Sequence, residues 1–353
     1  PEPVLLSIED KVEKLLSADR AARAISSEVR QVSLSLADAR KRFQVANSEG
    51  VFAEEERVRV RLSLNVVASR EGVIQTGYES AGGVCGWELL DQVSPDEMAQ
   101  KAALLAMKML DARPAPAGKM AVVIASEAGG TMIHEACGHG LEADLVQKGL
   151  SVYRGKVGQQ VASPIVSVVD DATLAQRYGS FTYDDEGNPG QRTLLIDQGV
   201  LRGYMYDRLT AQKDGVVSTG NGRRESYQDK PIPRMSNTFI LPGKDDPEEI
   251  IGSTRHGLLV RRMGGGQVNT TNGDFVFDVQ EGYLIEDGKV VYPVRGATLT
   301  GNGPRALLDI DRVGGDLGFS IGTCGKDGQG VPVADAQPTI RIKELTVGGT
   351  ARR

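Results

Sequence analysis

From Arg57 to Val66 apolar and polar side chains alternate without a break: Val58, Val60, Leu62, Leu64 and Val66 share one parity, Arg57, Arg59 and Arg61 the other. Successive side chains of a strand point to opposite faces, so this run predicts a long, half-buried antiparallel strand. On a helix the same residues would be scattered around the axis. Val32, Leu34 and Leu36 repeat the pattern upstream. The 43 glycines among 353 residues follow no collagen-like period, and they point the same way, to many tight turns and β structure. Aromatic residues make up only 5% of the chain, which leaves the core to Val, Leu, Ile and Ala.

Helices punctuate this β texture. Residues 8–25 place Val12, Leu15, Leu16, Ala22 and Ile25 roughly on one face. Ser94-Pro95-Asp96-Glu97 supplies a cap, a proline at the first helical position and an acid three residues on, which predicts a helix to about Ala112. Arg113-Pro114-Ala115-Pro116-Ala117-Gly118 reads as a linker. The expected organisation is the latter part of an N-terminal α+β domain over residues 1–112, a linker over 113–119 and a β-rich C-terminal domain over 120–353. Beyond the linker, Met120 to Ala125 reads as a strand and Gly129 to about Gln147 as a helix. A second capped helix opens at Asp246-Pro247-Glu248-Glu249 and is expected to stop near Gly257. Asp197-Gln198-Gly199 and Glu286-Asp287-Gly288 are hairpin signals. The fold class is therefore α+β, with helices on an antiparallel sheet in the N-terminal part and mostly antiparallel β in the C-terminal half.

Charge and composition exclude several functions. A net charge of −6 and the lack of any Lys/Arg block argue against nucleic acid as a ligand. The longest apolar runs are far too short to span a bilayer, so no membrane partner is expected. Three scattered thiols, Cys85, Cys137 and Cys324, do not form a secreted disulfide framework, and the expected location is the cytoplasm. The opening Pro1-Glu2-Pro3, without a methionine, raises the expectation that an N-terminal portion precedes it.

The chemistry concentrates in one segment. Of only three histidines, two stand in His134-Glu135-Ala136-Cys137-Gly138-His139, an H-E-x-x-x-H motif. Two imidazoles supply neutral nitrogen ligands, and a catalytic zinc takes three protein ligands and keeps one position open. Glu135 can take a proton from water and pass it to a leaving amine. The spacing poses a geometric problem. On a regular helix each residue turns about 100°, so ligands five apart diverge by about 140°. A one-residue π-bulge restores convergence, and Gly138 and Gly140 lower the steric cost of such a distortion. The prediction is a metal-binding helix carrying a π-bulge.

Local spacing leaves the third ligand open among Glu142, Asp144, His256 and Cys324. Glu142 and Asp144 read as ordinary polar helix positions, and His256 as a residue at the end of a helix. Cys324 stands in a glycine-rich loop-like segment, Gly322-Thr323-Cys324-Gly325, that can present a thiolate. Cys85 and Cys137 read as inert core thiols. Asp184, Asp185 and Glu186 read as a solvated turn. An exposed strand edge at Gly264, Gly265 and Gly266 can take an extended peptide by β-augmentation, although a plain flexible turn fits the same glycines.

Segment 129–144, running from Gly129 through His134, Glu135 and His139 to Asp144, resembles the metal-binding helix of the TldD/PmbA family of metalloproteases. The resemblance continues, in the family's order, through Thr219–Ser226, Pro233–Thr238, Gly264–Gln267, Gly301–Pro304 and Gly322–Gly328. It implies a zinc peptidase acting on unfolded or extended peptides, with one Zn2+ per chain held by His134, His139 and Cys324, and Glu135 as general base. Because the PmbA/TldE branch lacks the histidine motif, the chain resembles the catalytic branch. The resemblance also implies a partner, either a TldE/PmbA-type subunit in a heterodimer or a second copy in a homodimer. Two other readings compete: a non-catalytic module with a structural zinc that modulates a partner protein, and a dipeptidyl-peptidase III-like zinc peptidase. The latter needs a Glu-rich second helix, which the sequence lacks.

Overall fold

The computed structural model describes residues 4–351, so the Pro1-Glu2-Pro3 opening lies outside the described residues. Helix α1 (Ile8–Arg23) is capped by Ser7, whose side chain accepts the Asp10 N–H. It is followed by three long antiparallel strands, β1 (Val29–Ala46), β2 (Phe52–Arg70) and β3 (Val73–Gly83), in the order β1-β2-β3. The alternation from Val58 to Val66 lies in β2 and buries all five apolar residues. Helix α2 (Pro95–Leu110), capped by Ser94, packs Ala99, Ala102, Ala103 and Ala106 against that face. Small residues are needed at this contact: a Cβ on Gly77 of β3 would lie 1.9 Å from the Ala102 carbonyl oxygen. The expected apolar face of α1 is only partly buried. Ala18 and Ala22 face the core, whereas Val12 and Leu16 are about half exposed, because α2 covers the sheet and leaves α1 a narrower contact.

Residues 113 and 114 are not a free tether; they pair in parallel with Val294 and Arg295. Beyond them, β4 (Gly118–Ile124), β5 (His256–Val268), β6 (Asp274–Glu286) and β9 (Ile340–Gly348), with the strand Thr298–Asn302, form a ring of pairings. The order β5-β4-β9-(298–302)-β6 closes through direct β5–β6 pairing, so the sheet curls into a small barrel around an apolar interior. A second, six-stranded sheet has β7 (Gly318–Lys326) at one edge and β8 (Gln329–Gln337) beside it. Most pairings are antiparallel, with parallel exceptions at β4–β5 and β8–Phe239. Both predicted hairpin turns form, with Gln198-Gly199 and Asp287-Gly288 each at positive φ, the type I′ turn geometry that joins twisted strands.

Two expected helices are shorter than predicted. The helix at Pro247 ends at Gly252, since His256 already opens β5. The segment from Gly129 to Gln147 is not one helix but a chain of short turns between the two sheets. Glu142, at ψ 121°, is extended and breaks it. Among the described residues no helix is long and apolar enough to cross a membrane.

Candidate metal centre

The histidine segment enters as a helical turn at Thr131–Ile133 and passes into a π-helical turn over His134–Gly138. The His139 N–H reaches back to the His134 carbonyl, five residues away, which is the wide turn that the spacing required. Neighbours accommodate the widened turn: Tyr153 donates its hydroxyl to the Ala136 carbonyl at 2.8 Å. The two glycines serve packing rather than unusual dihedrals. Gly138 keeps a right-handed φ of −51°. A Cβ there would meet Met235 Sδ at 2.2 Å, and one at Gly140 would meet the Tyr153 ring at 2.7 Å.

This turn brings His134 Nε2 to 3.3 Å from His139 Nε2, and Cys324 Sγ of β7 to 3.5 Å from the same nitrogen. Among the described residues, His134, His139 and Cys324 form a cluster of potential ligand atoms all within 4.8 Å of one another, and all three residues are largely buried. Of the four third-ligand candidates, Cys324 is the one that lies in this cluster. His256 is exposed at the start of β5, apart from this cluster.

Glu142 and Asp144, read from the sequence as ordinary polar positions, are buried and committed to the site's support. The Glu142 carboxylate lies 3.0 Å from His139 Nδ1. Asp335 of β8 lies 2.9 Å from His134 Nδ1. Each carboxylate accepts the Nδ1–H of its histidine, so the proton a metal would displace is the one on Nε2, the nitrogen that faces the cluster. Lys326, nearly buried, neutralises the acids: its Nζ lies 2.6 Å from Asp144, 3.1 Å from Glu142 and 2.9 Å from the Pro233 carbonyl. Arg234, fully buried, donates to the Cys324 carbonyl at 2.6 Å and to the Gln329 carbonyl at 3.2 Å, and so pins the hairpin that presents the thiol.

The electrostatics follow from these partners. Burial pushes the Cys324 thiol up, but the two imidazoles outweigh it and bring it down to about 5. Burial opposes charge on His139, yet the Glu142 carboxylate beside it raises it to about 10, and Asp335 raises His134 in the same way. Glu142 is held at about 2, against its burial, by Lys326, His139 and Arg234. The protonated imidazoles supply the positive charge that the thiolate faces, and a metal cation can replace their Nε2 protons there. Two nitrogens and one soft sulfur suit zinc, and they do not suit the hard, oxygen-seeking Mg2+ or Ca2+. Cys137, by contrast, is raised to about 12 by burial, as expected of an inert core thiol.

Glu135, on the same π turn, is partly buried, and desolvation raises its pKa despite the neighbouring imidazoles. Gly264 and Gly265 lie within β5, not in a turn, and line a cavity of about 600 Å3 together with Thr131, Tyr78 and Ser320. Pairing of β5 with β4 stops at Val260, so residues 261–268 pair only with β6. Gly266 packs tightly there, since a Cβ would meet the Phe277 ring at 2.0 Å. Asp184 and Asp185 overturn the solvated-turn reading. Both are buried, because the Asp184 carboxylate accepts the backbone N–H groups of Glu186, Asn188 and Gly222, and Asp185 accepts Lys41 and the Arg224 N–H. They take no part in the metal cluster. Asp335 had no signal in the sequence: 201 residues separate it from His134, and only the fold joins them.

Known proteins resemble this chain over most of its length. The family models for the PmbA/TldA metallopeptidase central and C-terminal domains match residues 1–110 and 117–349. A Haemophilus influenzae protein named Metalloprotease TldD homolog is 43% identical over 98% of this chain and 73% of its own length. A Methanothermobacter thermautotrophicus metalloprotease is 41% identical over 90% of this chain and 70% of its own. Among solved structures, a Thermotoga maritima protein described as a modulator of a DNA gyrase superposes with a TM-score of 0.82 at 25% identity, covering 97% of this chain and 75% of that one. TldE from Thermococcus kodakarensis shares the fold, with a TM-score of 0.78 at 21% identity over 99% of this chain and 79% of that one.

Proposed function

Because the chain belongs to the PmbA/TldD family of metallopeptidases, we propose that it is a zinc peptidase that hydrolyses unfolded or extended peptides. The single observation that carries this reading is the buried convergence of His134, His139 and Cys324 within 4.8 Å, next to Glu135. In it, His134, His139 and Cys324 hold one zinc ion. When bound, zinc supplies a Lewis acid for the scissile carbonyl and lowers the pKa of water.

The chain's own residues do the rest. Glu135 takes a proton from water and delivers it to the leaving amine; a carboxylate raised by burial suits both transfers. Asp335 and Glu142 hold the imidazole rings in orientation. The strand segment Gly264–Gly266 beside the cavity offers backbone donors and acceptors to an extended peptide, a mode of recognition with little side-chain selectivity. A TldE/PmbA-type subunit or a second copy of the chain is the partner this reading assigns.

The test is Glu135→Gln. The variant should keep its zinc and lose cleavage of an unfolded model polypeptide by at least about 100-fold, the scale of a lost general base. Cleavage equal to the unmodified protein's would remove Glu135 from the mechanism.

A further inference from the structure

A cationic cleft lies on the other side of the hairpin that carries Cys324. Thr323 and Cys324 are neighbours in β7, so their side chains point to opposite faces. Cys324 meets the imidazoles, whereas Thr323 Oγ1 accepts a hydrogen bond from Arg61 Nη1 at 3.3 Å. On Arg61's side, between the N-terminal sheet and β8, is a cleft of about 380 Å3. Six cations line it: Lys41, Arg57, Arg59, Arg61, Arg223 and Arg224.

Only part of this charge is neutralised. Arg57 is paired with Glu55, and Lys41 with Asp185. Of the other acids lining the cleft, Asp38 is taken by Lys11, and Glu225 accepts the Gly330 N–H. Among the described residues Arg59, Arg61, Arg223 and Arg224 have no carboxylate within ion-pair distance. Their recorded partners are neutral: Arg59 donates to the Tyr178 and Ser180 carbonyls, both at 2.9 Å. Arg223, only 2% exposed, donates to the carbonyls of Met235 and Pro332. Arg61 donates to Tyr78, and its Nε is buried without any hydrogen-bond partner.

The guanidinium groups are also crowded. Arg57 and Arg223 both stand over the Phe181 ring, 5.1 and 5.2 Å from its centre. Burial, and then the charge of Arg59, draws Arg223 down to about 9. Carbonyl anchors hold the planar groups in place, and guanidinium donors match the tetrahedral oxyanion geometry of phosphate better than an ammonium would. A chain of net charge −6 that concentrates unpaired arginines in one cleft has built a local anion field against its overall sign.

We propose that this cleft binds a small, multiply charged oxyanion of the phosphate class, held by Arg59, Arg61, Arg223 and Arg224 on the face of the Cys324 hairpin opposite the metal cluster. The chemistry is shared by free phosphate and by a phosphoryl group on a small organic molecule.

The test titrates inorganic phosphate into the metal-loaded full chain by calorimetry, with ionic strength held constant by sodium chloride. Saturable binding at one site is expected. The double variant Arg61→Gln/Arg224→Gln, which changes partly exposed side chains, should weaken it by about tenfold or more, the scale of lost charge-assisted contacts. Arg223→Gln should weaken it further if thermal unfolding shows it folded; the double variant decides the matter alone if not. His134→Ala should leave phosphate binding intact, which separates this site from the metal. A nucleoside monophosphate that binds more tightly than phosphate, with the same dependence on the arginines, would support a phosphoryl ester as ligand, and equal affinity would support the free ion. Heat no greater than that of sodium chloride, binding indifferent to the arginine substitutions, binding lost with His134→Ala, or capture of hexaglutamate but not phosphate would each overturn the proposal.

Discussion

Replacing Asp335 with alanine tests the support of the metal cluster. The substitution removes the acceptor 2.9 Å from His134 Nδ1 and leaves the backbone of β8, including the Gly130 N–H bond to the Asp335 carbonyl, in place. With metal on Nε2, the proton must sit on Nδ1, now buried without a partner, at a cost of about 1–3 kcal/mol. Without metal, the ring can shift that proton to Nε2, where it faces the His139 nitrogen and the Cys324 sulfur. The penalty therefore falls on the metal-bound state. It corresponds to a loss of affinity of about 10- to 100-fold, the range seen when carboxylates behind metal-bound histidines are removed. Competition with a chromophoric chelator measures the affinity, and circular dichroism checks the fold. Asp335→Asn, which retains an oxygen acceptor, should lose less. An Asp335→Ala affinity within about twofold of the unmodified protein would refute the reasoning, because the histidine would then need no anchor.

Other consequences follow from particular contacts. A Cβ on Gly303 would lie 2.3 Å from the Ala136 carbonyl oxygen of the π turn, so Gly303→Ala should destabilise the fold by about 1–3 kcal/mol in denaturant titration and weaken zinc binding as well. Lys326→Met removes the buried cation that Glu142 and Asp144 share, leaving Glu142 to His139 and Arg234 and Asp144 to Lys148, and should cost about 3–5 kcal/mol, visible as a fall in the unfolding midpoint. Glu186 is raised to about 7 by burial and by the Asp184 and Asp207 carboxylates. Between about pH 4.5 and 7 the folded chain holds a proton there that the unfolded chain releases, so stability from this group falls as pH rises through that window. Glu186→Gln should flatten that part of the stability–pH curve, and an unchanged slope would contradict the assignment.

The legibility of the molecule in its sequence followed the range of each interaction. The alternation in β2, the caps Ser94 and Asp246 and the two hairpin turns are decided within a few residues, and these features stand as read, although the helix that Asp246 opens stops at Gly252. The five-residue spacing of His134 and His139 by itself requires a π turn if both imidazoles are to meet one ion. The face of α1 was harder, because which of its apolar residues are covered depends on where α2 lies. Glu142, Asp144, Asp184 and Asp185 read as surface acids, since a carboxylate's burial is set by distant partners: Lys326 for the first pair, the Gly222 and Arg224 N–H groups and Lys41 for the second. Glu142 did carry one usable signal, its place three residues after His139. Asp335 and the arginine cleft carried none, because each is assembled from segments more than a hundred residues apart.

The central claim is that two histidines on a π turn and a cysteine from a distant hairpin hold one metal ion. Zinc per chain should be measured on the unmodified protein, His134→Ala and Cys324→Ala, each prepared without added metal or chelator and checked for folding. Near one zinc per chain is expected in the unmodified protein, lost in both folded variants. Zinc absent from the unmodified protein even after reconstitution, or retained in full by folded Cys324→Ala, would contradict it.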